Sequence, residues 1–135
     1  MKKNGMLNSD ITKVLADMGH TDLICIADCG LPIPNSVNKI DLALDFKIPS
    51  FMEVFNKFLQ EMAIQKVYLA KEIQTLNPYL LKEIEIAISN SNQQISLEFI
   101  DHESLKKQEY NCKAVVRTGE NTPYANIILE SAVIF

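Results

Sequence analysis

Apolar positions recur at two spacings along the chain, and the changes from one to the other outline its elements. Asn8-Ser9-Asp10 supply helix-capping residue types just before Ile11, Val14, Leu15 and Met18, so residues 9–18 read as a short amphipathic helix stopped at Gly19. Leu23 to Ala27 is a brief run rich in β-favouring residues, the mark of a strand covered on both faces. From Gly30 to Ile48 the pattern dissolves into a long, proline-bearing loop, with Asn38 to Leu44 able to add a short strand. Pro49 and Ser50 then open a helix, because Phe51, Val54, Phe55, Phe58, Leu59 and Met62 keep the 3.6-residue period. Lys66 to Ala70 is a second strand, and a third helix starts near Asn77-Pro78 with Leu81, Ile84 and Ile88 as its stripe. Ser89 to Asn92 is a loop. Ile95, Leu97 and Phe99 alternate as a strand within 94–100, Asp101-His102-Glu103 start a short helix, and Ala114 to Arg117 form another strand. Asn126 to Phe135 reads as a final strand or strand pair.

Strands that alternate with helices make an α/β chain with a mostly parallel sheet and helices on both faces. The last connection, Thr118 to Tyr124, has no room for a helix. A hairpin-like step, and so an antiparallel strand near the C-terminus, is the consequence. A length of 135 residues with 47% hydrophobic content suits one domain spanning 1–135. The formal net charge is −4 and the 13 Lys and Arg are scattered, so no nucleic-acid footprint is present. No apolar span is long enough to cross a bilayer and no apolar stretch follows Lys2-Lys3, so a soluble cytoplasmic protein is expected. Cys25, Cys29 and Cys112 are odd in number and lack CxxC spacing, which argues against both a disulfide framework and a structural zinc site.

The candidate chemistry gathers around the first strand. His20 stands at its entrance and Asp28 at its exit, just before Gly30-Leu31-Pro32-Ile33-Pro34. Ligands of open α/β sheets bind beyond the carboxyl ends of strands, so Asp28 is well placed and His20 is at the wrong end. Either the loop before the strand curls over the site, or His20 serves a site completed by a neighbouring subunit. His20 and His102 are the two histidines, each at an element boundary; a solvated surface role and a proton-transfer role weigh about evenly. Asp28 could orient a histidine or bind a hydroxyl pair, and its plainer role is to cap the turn at Gly30. Arg117 to Asn126 is dense in hydrogen-bonding side chains; Tyr124 and Asn126 suit a polyhydroxylated ligand, whereas Thr122-Pro123 could be only a turn and Asn126 its cap. A metal site from His20, His102, Asp28 and Cys29 has no ligand spacing to support it. Cys29 lacks a cationic neighbour in sequence, and no nucleotide-binding or nucleophile-elbow motif occurs, so no cofactor is expected.

Gly19-His20-Thr21-Asp22, Asp28 with Gly30-Leu31-Pro32-Ile33-Pro34, Ile40-Asp41-Leu42-Ala43, Pro49-Ser50-Phe51, Glu72-Ile73 with Asn77-Pro78, and Arg117-Thr118-Gly119-Glu120 through Pro123-Tyr124-Ala125-Asn126-Ile127 together resemble the ribose pyranase / fucose mutarotase family. The likeness spans nearly the whole chain in order and spacing; Cys29 departs from it, since the family more often has alanine there. The resemblance implies a three-layer α/β/α sandwich with a mixed sheet and a cofactor-free isomerase that interconverts the β-pyranose and β-furanose forms of D-ribose, supplying furanose for phosphorylation. It implies His20 as the catalytic acid, with Asp28, His102, Tyr124 and Asn126 contacting the sugar. It also implies pentameric rings stacked into a homodecamer, with pockets completed between subunits. The alternatives are a mutarotase for fucose or another monosaccharide, a non-catalytic sugar-binding module, and a structural ring-former.

Overall fold

A computed structural model describes all 135 residues. The chain runs α1 (Ser9–Asp17), β1 (Leu23–Ala27), β2 (Lys39–Asp41), α2 (Phe51–Glu61), β3 (Ile64–Ala70), α3 (Ile73–Leu76), α4 (Pro78–Asn90), β4 (Ser96–Ile100), α5 (His102–Glu109), β5 (Cys112–Arg117) and β6 (Ile127–Ser131). Helix starts follow local chemistry. The Asn8 side chain accepts from the Ile11 amide, Asp101 accepts from that of Ser104, and Ser50 and Glu53 form a reciprocal capping box. Pro78 takes the first position of α4, where its missing N–H leaves no bond unmade.

The strands form one mixed sheet in the order β2-β5-β1-β6-β3-β4. β6 is antiparallel to both β1 and β3, and every other pairing is parallel. The antiparallel strand is therefore present, but it does not form a hairpin with β5. Both edges of β5 are already taken by β1 and β2, so the chain passes over the end of β1 and enters the slot between β1 and β3. β6 ends at Ser131; the last four residues are not strand, and Ile134 and Phe135 are exposed. The short α3, between β3 and α4, is an element that the spacing of apolar residues does not announce.

Period-2 alternation divides the buried residues between two faces. Ile24, Ile26, Val67, Leu69, Ile127 and Leu129 join side chains from α1, α2, α3 and α4 in the larger core. Phe51, Phe55 and Phe58 of α2 are fully buried there; truncating such a ring costs ~3–5 kcal/mol. On the other face, Cys25, Ala27, Val115 and Ile128 pack with Leu105 of α5 and with Leu31 and Val37. The layers are thus four helices, the sheet, and α5 beside the proline-stiffened loop, a three-layer α/β/α sandwich. Only one helix lies on the second face because the 31–37 segment takes a second helix's place. The polar face of β3, β4 and β6 beyond α5 carries Lys66, Tyr68, Glu98 and Glu130.

Candidate active site

All five parallel strands point one way, so Asp28, Asp101 and Arg117 stand together at their carboxyl ends, where antiparallel β6 begins. A cleft of about 260 Å³ opens there, lined by Asp28, Gly30, Pro32, His102, Tyr124 and Asn126 among others. Four of the five residues expected from the sequence, Asp28, His102, Tyr124 and Asn126, meet in it. A larger hollow of about 550 Å³ between α2 and α4, lined by Asn56, Leu59, Gln60, Ala87, Asn90 and Ser91, contains no group that exchanges protons near neutral pH.

Each cleft residue is positioned by a specific contact. Asn126 is 1% exposed; its Nδ2 donates to Asp28 Oδ2 at 2.8 Å and its Oδ1 accepts from the Asp28 amide at 2.9 Å. Asp28 Oδ1 accepts from the Gly30 amide at 2.9 Å, so this aspartate caps the turn and lines the cleft at once. Asn126, by contrast, is no turn cap but the clamp on Asp28. Tyr124 has φ 57°, in the left-handed region that a bulky residue rarely enters. That backbone sets its ring edge-on to His102, with centroids 5.1 Å apart and planes at 86°. His102 is the first residue of α5, capped by Asp101, and its amide donates to Glu72 Oε1 at 3.3 Å. Its Nδ1 is buried without a partner in the chain, as is Glu72 Oε2. Nε2 is therefore the ring nitrogen free to serve the cleft.

Thr118, Gly119 and Glu120 hold the loop over β1. Thr118 Oγ1 donates to the Ala27 carbonyl at 2.8 Å, and the carboxylate of Glu120 accepts from the Phe51 amide and from both the amide and hydroxyl of Thr122. A Cβ on Gly119 would lie 2.2 Å from the Asp45 carbonyl oxygen, which leaves room for glycine alone. Buried Asn77 donates to Thr122 Oγ1 and to the Pro123 carbonyl, fixing the approach to Tyr124. Glu72, Asn77 and Glu120 were not among the sequence candidates. The Glu72-Ile73 and Asn77-Pro78 pairs were the available signal, since neither belongs to an apolar stripe. Cys29 is half-buried, and its backbone carries its bonds: the amide donates to the Glu120 carbonyl and the carbonyl accepts from Arg117 Nε. No three His, Cys, Asp or Glu side chains gather as a metal-holding group, and no helix is long and apolar enough to cross a membrane.

His20 is elsewhere. It precedes β1 while Asp28 follows it, and five strand residues at ~3.3 Å each put about 16 Å between the two ends. The loop does not curl over the cleft, because it is bound in place: the Thr21 amide donates to the Ser131 carbonyl at 3.0 Å and the Ser131 amide to the Asp22 carbonyl at 2.9 Å. His20 instead lines a separate hollow with Met18, Glu61, Val133 and Phe135, and its Nε2 lies 3.0 Å from Gln65 Oε1.

The comparisons with known proteins agree over the full chain. A relative from Bacillus cytotoxicus named D-ribose pyranase is 52% identical over 135 residues, covering 100% of both chains. Another of that name from Streptococcus agalactiae serotype III is 50% identical, covering 99% of each. The solved structure of Bacillus subtilis RbsD complexed with D-ribose superposes with a TM-score of 0.92 at 47% identity, covering 100% of both chains. The fucose mutarotase of Streptococcus pneumoniae in complex with L-fucose shares the fold, with a TM-score of 0.81 at 22% identity over 96% of this chain and 95% of that one. The family model described as the RbsD / FucU transport protein family matches residues 1–134, and the chain belongs to that family.

Proposed function

We infer that this chain is a D-ribose pyranase, an isomerase that interconverts the β-pyranose and β-furanose forms of D-ribose. The observation that carries this reading is the cleft at the carboxyl ends of the strands, in a chain 47% identical to a protein solved with D-ribose. Opening the pyranose breaks the bond between the anomeric carbon and the ring oxygen. A proton goes onto that oxygen and one leaves the anomeric hydroxyl, giving the open-chain aldehyde. Reclosure through the neighbouring hydroxyl reverses both transfers and forms the furanose. No redox change and no covalent intermediate is needed, and a group with a pKa near ~6.5 serves both directions.

In this scheme Asp28 and Asn126 hold sugar hydroxyls, His102 and Tyr124 hold the opened chain, and His20 exchanges the ring-oxygen proton. His20 and the cleft lie at opposite ends of β1, so a complete site takes its histidine from a second copy of the chain. That requirement supports a closed homo-oligomer, proposed as two stacked pentameric rings, with the whole chain acting as one domain. Three free cysteines, two of them buried, suit the reducing cytoplasm, where ribofuranose is phosphorylated.

Exchange NMR on D-ribose, resolving the pyranose and furanose anomers, tests the activity. Faster pyranose–furanose exchange on adding protein is the expected result. Acceleration confined to α/β exchange within one ring size would make the chain a mutarotase instead. In the same assay His20→Ala should lower exchange by ~10²-fold or more while ribose still protects the fold against heating. Undiminished exchange would remove His20 from the acid role.

A further inference from the structure

The polar face of β3, β4 and β6 is not idle surface, because it carries a chain of hydrogen bonds that converges on Glu130 and reaches His20. Tyr68 Oη lies 2.6 Å from Glu130 Oε2, Gln65 Nε2 lies 2.6 Å from Glu130 Oε1, and Gln65 Oε1 lies 3.0 Å from His20 Nε2. Glu130 is the fixed point. Partial burial pushes its pKa up, but the bonds from Tyr68 and Gln65 outweigh that and hold the carboxyl below its ordinary value. Burial, with the bond to Glu130 added, pushes the Tyr68 phenol up to about 12, so it stays a donor.

An ionised carboxylate only accepts. The Gln65 amide must therefore turn its NH₂ to Glu130 and its carbonyl oxygen to His20. A carbonyl oxygen also only accepts, so His20 must present Nε2–H. We propose that Glu130, acting through Gln65, fixes neutral His20 as the Nε2–H tautomer, which makes Nδ1 the nitrogen that trades a proton with the sugar. Gln65 and Glu130 are then positioning residues for the acid, in the way an aspartate sets the tautomer of a catalytic imidazole in a hydrolase triad.

Local structure is built for this arrangement. The pairing of β3 with β6 shifts register between Ile64 and Lys66, a bulge that sits at Gln65. Ile64 stays in the main core and Lys66 reaches the opposite face, while Gln65 is turned toward the end of the sheet where His20 sits. On the histidine side, Thr21 is held at φ 67°, strained for a β-branched residue, by its bond to the Ser131 carbonyl. Ser131 is next to Glu130, so the ring and its partner are anchored to adjacent residues of β6.

The inference rests on the reading of His20 as the acid, and the test separates the two. The chain has only two histidines, so long-range ¹H–¹⁵N NMR of the intact protein, with His20→Ala for assignment, reports the His20 tautomer directly. Nε2–H is expected in the neutral form, and Nδ1–H would overturn the proposal whatever the enzyme's activity. Gln65→Leu removes the acceptor, and Glu130→Gln lets the Gln65 amide turn over. Both should give a mixed tautomer signal and lower kcat about tenfold or more with KM nearly unchanged, part of the ~10²–10⁴ that acid–base catalysis supplies. Folding is checked by the unchanged signal of His102. A tautomer that remains Nε2–H in both variants, or mixed tautomers with unchanged kcat, would overturn the proposal. Undiminished exchange in His20→Ala would instead sink the acid reading and leave the tautomer result standing.

Discussion

Asn126 and Asp28 form the tightest residue-level unit of the cleft, since one buried amide both donates to the carboxylate and accepts from the aspartate's own N–H. An amide can do both; a carboxylate cannot. Replacing Asn126, which is 1% exposed, by Asp would set two carboxylates in direct contact in a buried place, and only the Asp28 amide would still find an acceptor. The variant should lose roughly 3 kcal/mol of stability at pH 8 and regain part of it at pH 5, where the pair can share a proton. Asn126→Ala should lose less, ~1–3 kcal/mol, with no such recovery on acidification. Urea unfolding at the two pH values distinguishes them, and equal losses at both would show that the amide does not set the charge of Asp28. The residue types of this unit were legible in the sequence, because Asp28, Tyr124 and Asn126 fall at strand ends in segments of dense polarity. The supporting residues were less so. Gln65 and Glu130 occupy outward positions of strands, where a polar side chain usually marks only contact with water, and nothing local says that two strands 65 residues apart in sequence bring them together.

At the scale of elements, α5 both presents His102 to the cleft at its start and buries Glu109 at its end. Glu109 is 1% exposed, its Oε1 has no hydrogen-bond partner, and burial pushes its pKa up to about 7, with Lys106 only partly opposing. An unburied glutamate titrates at 4.5, so between that value and about 7 the folded state binds more protons than the unfolded chain. Stability must then fall as pH rises through that window and level off above it. Glu109→Gln should abolish this component, on the order of 2 kcal/mol, so the difference in unfolding free energy between about pH 5 and about pH 8 should shrink relative to the parent chain. An unchanged difference would mean that Glu109 is ionised in the fold. Elements with strong local patterning were the ones the sequence revealed: α2, with its capping box and phenylalanine stripe, and β1 and β3, with their short apolar runs. The slot of β6 was not, because whether a terminal strand pairs with its predecessor depends on which sheet edges are free, and those are set by distant segments. The second face was also half-hidden, since Leu31 and Val37 cover it from a loop whose prolines suppress any periodic signal.

For the whole molecule, the separation of His20 from the cleft makes a prediction that no single-chain site can meet. If each site joins His20 of one copy to Asp28, His102, Tyr124 and Asn126 of another, then His20→Ala and Asn126→Ala should each be nearly inactive alone. Refolded together in equal amounts, they should recover exchange. A site is intact when an Asn126→Ala chain supplies the histidine and a His20→Ala chain supplies the cleft, which random mixing in a closed ring achieves at about one site in four. About a quarter of the parent exchange rate on D-ribose is therefore expected, against none if each chain used its own histidine. The exposed apolar residues at the His20 end, Ile134 and Phe135, and at the loop beside the cleft, Leu44 and Phe46, lie at opposite ends of the sheet as a head-to-tail contact requires. A mixture as inactive as its parts, though assembled to the same size by light scattering, would place a working site inside one chain and return His20 to the surface role that its exposure alone suggests.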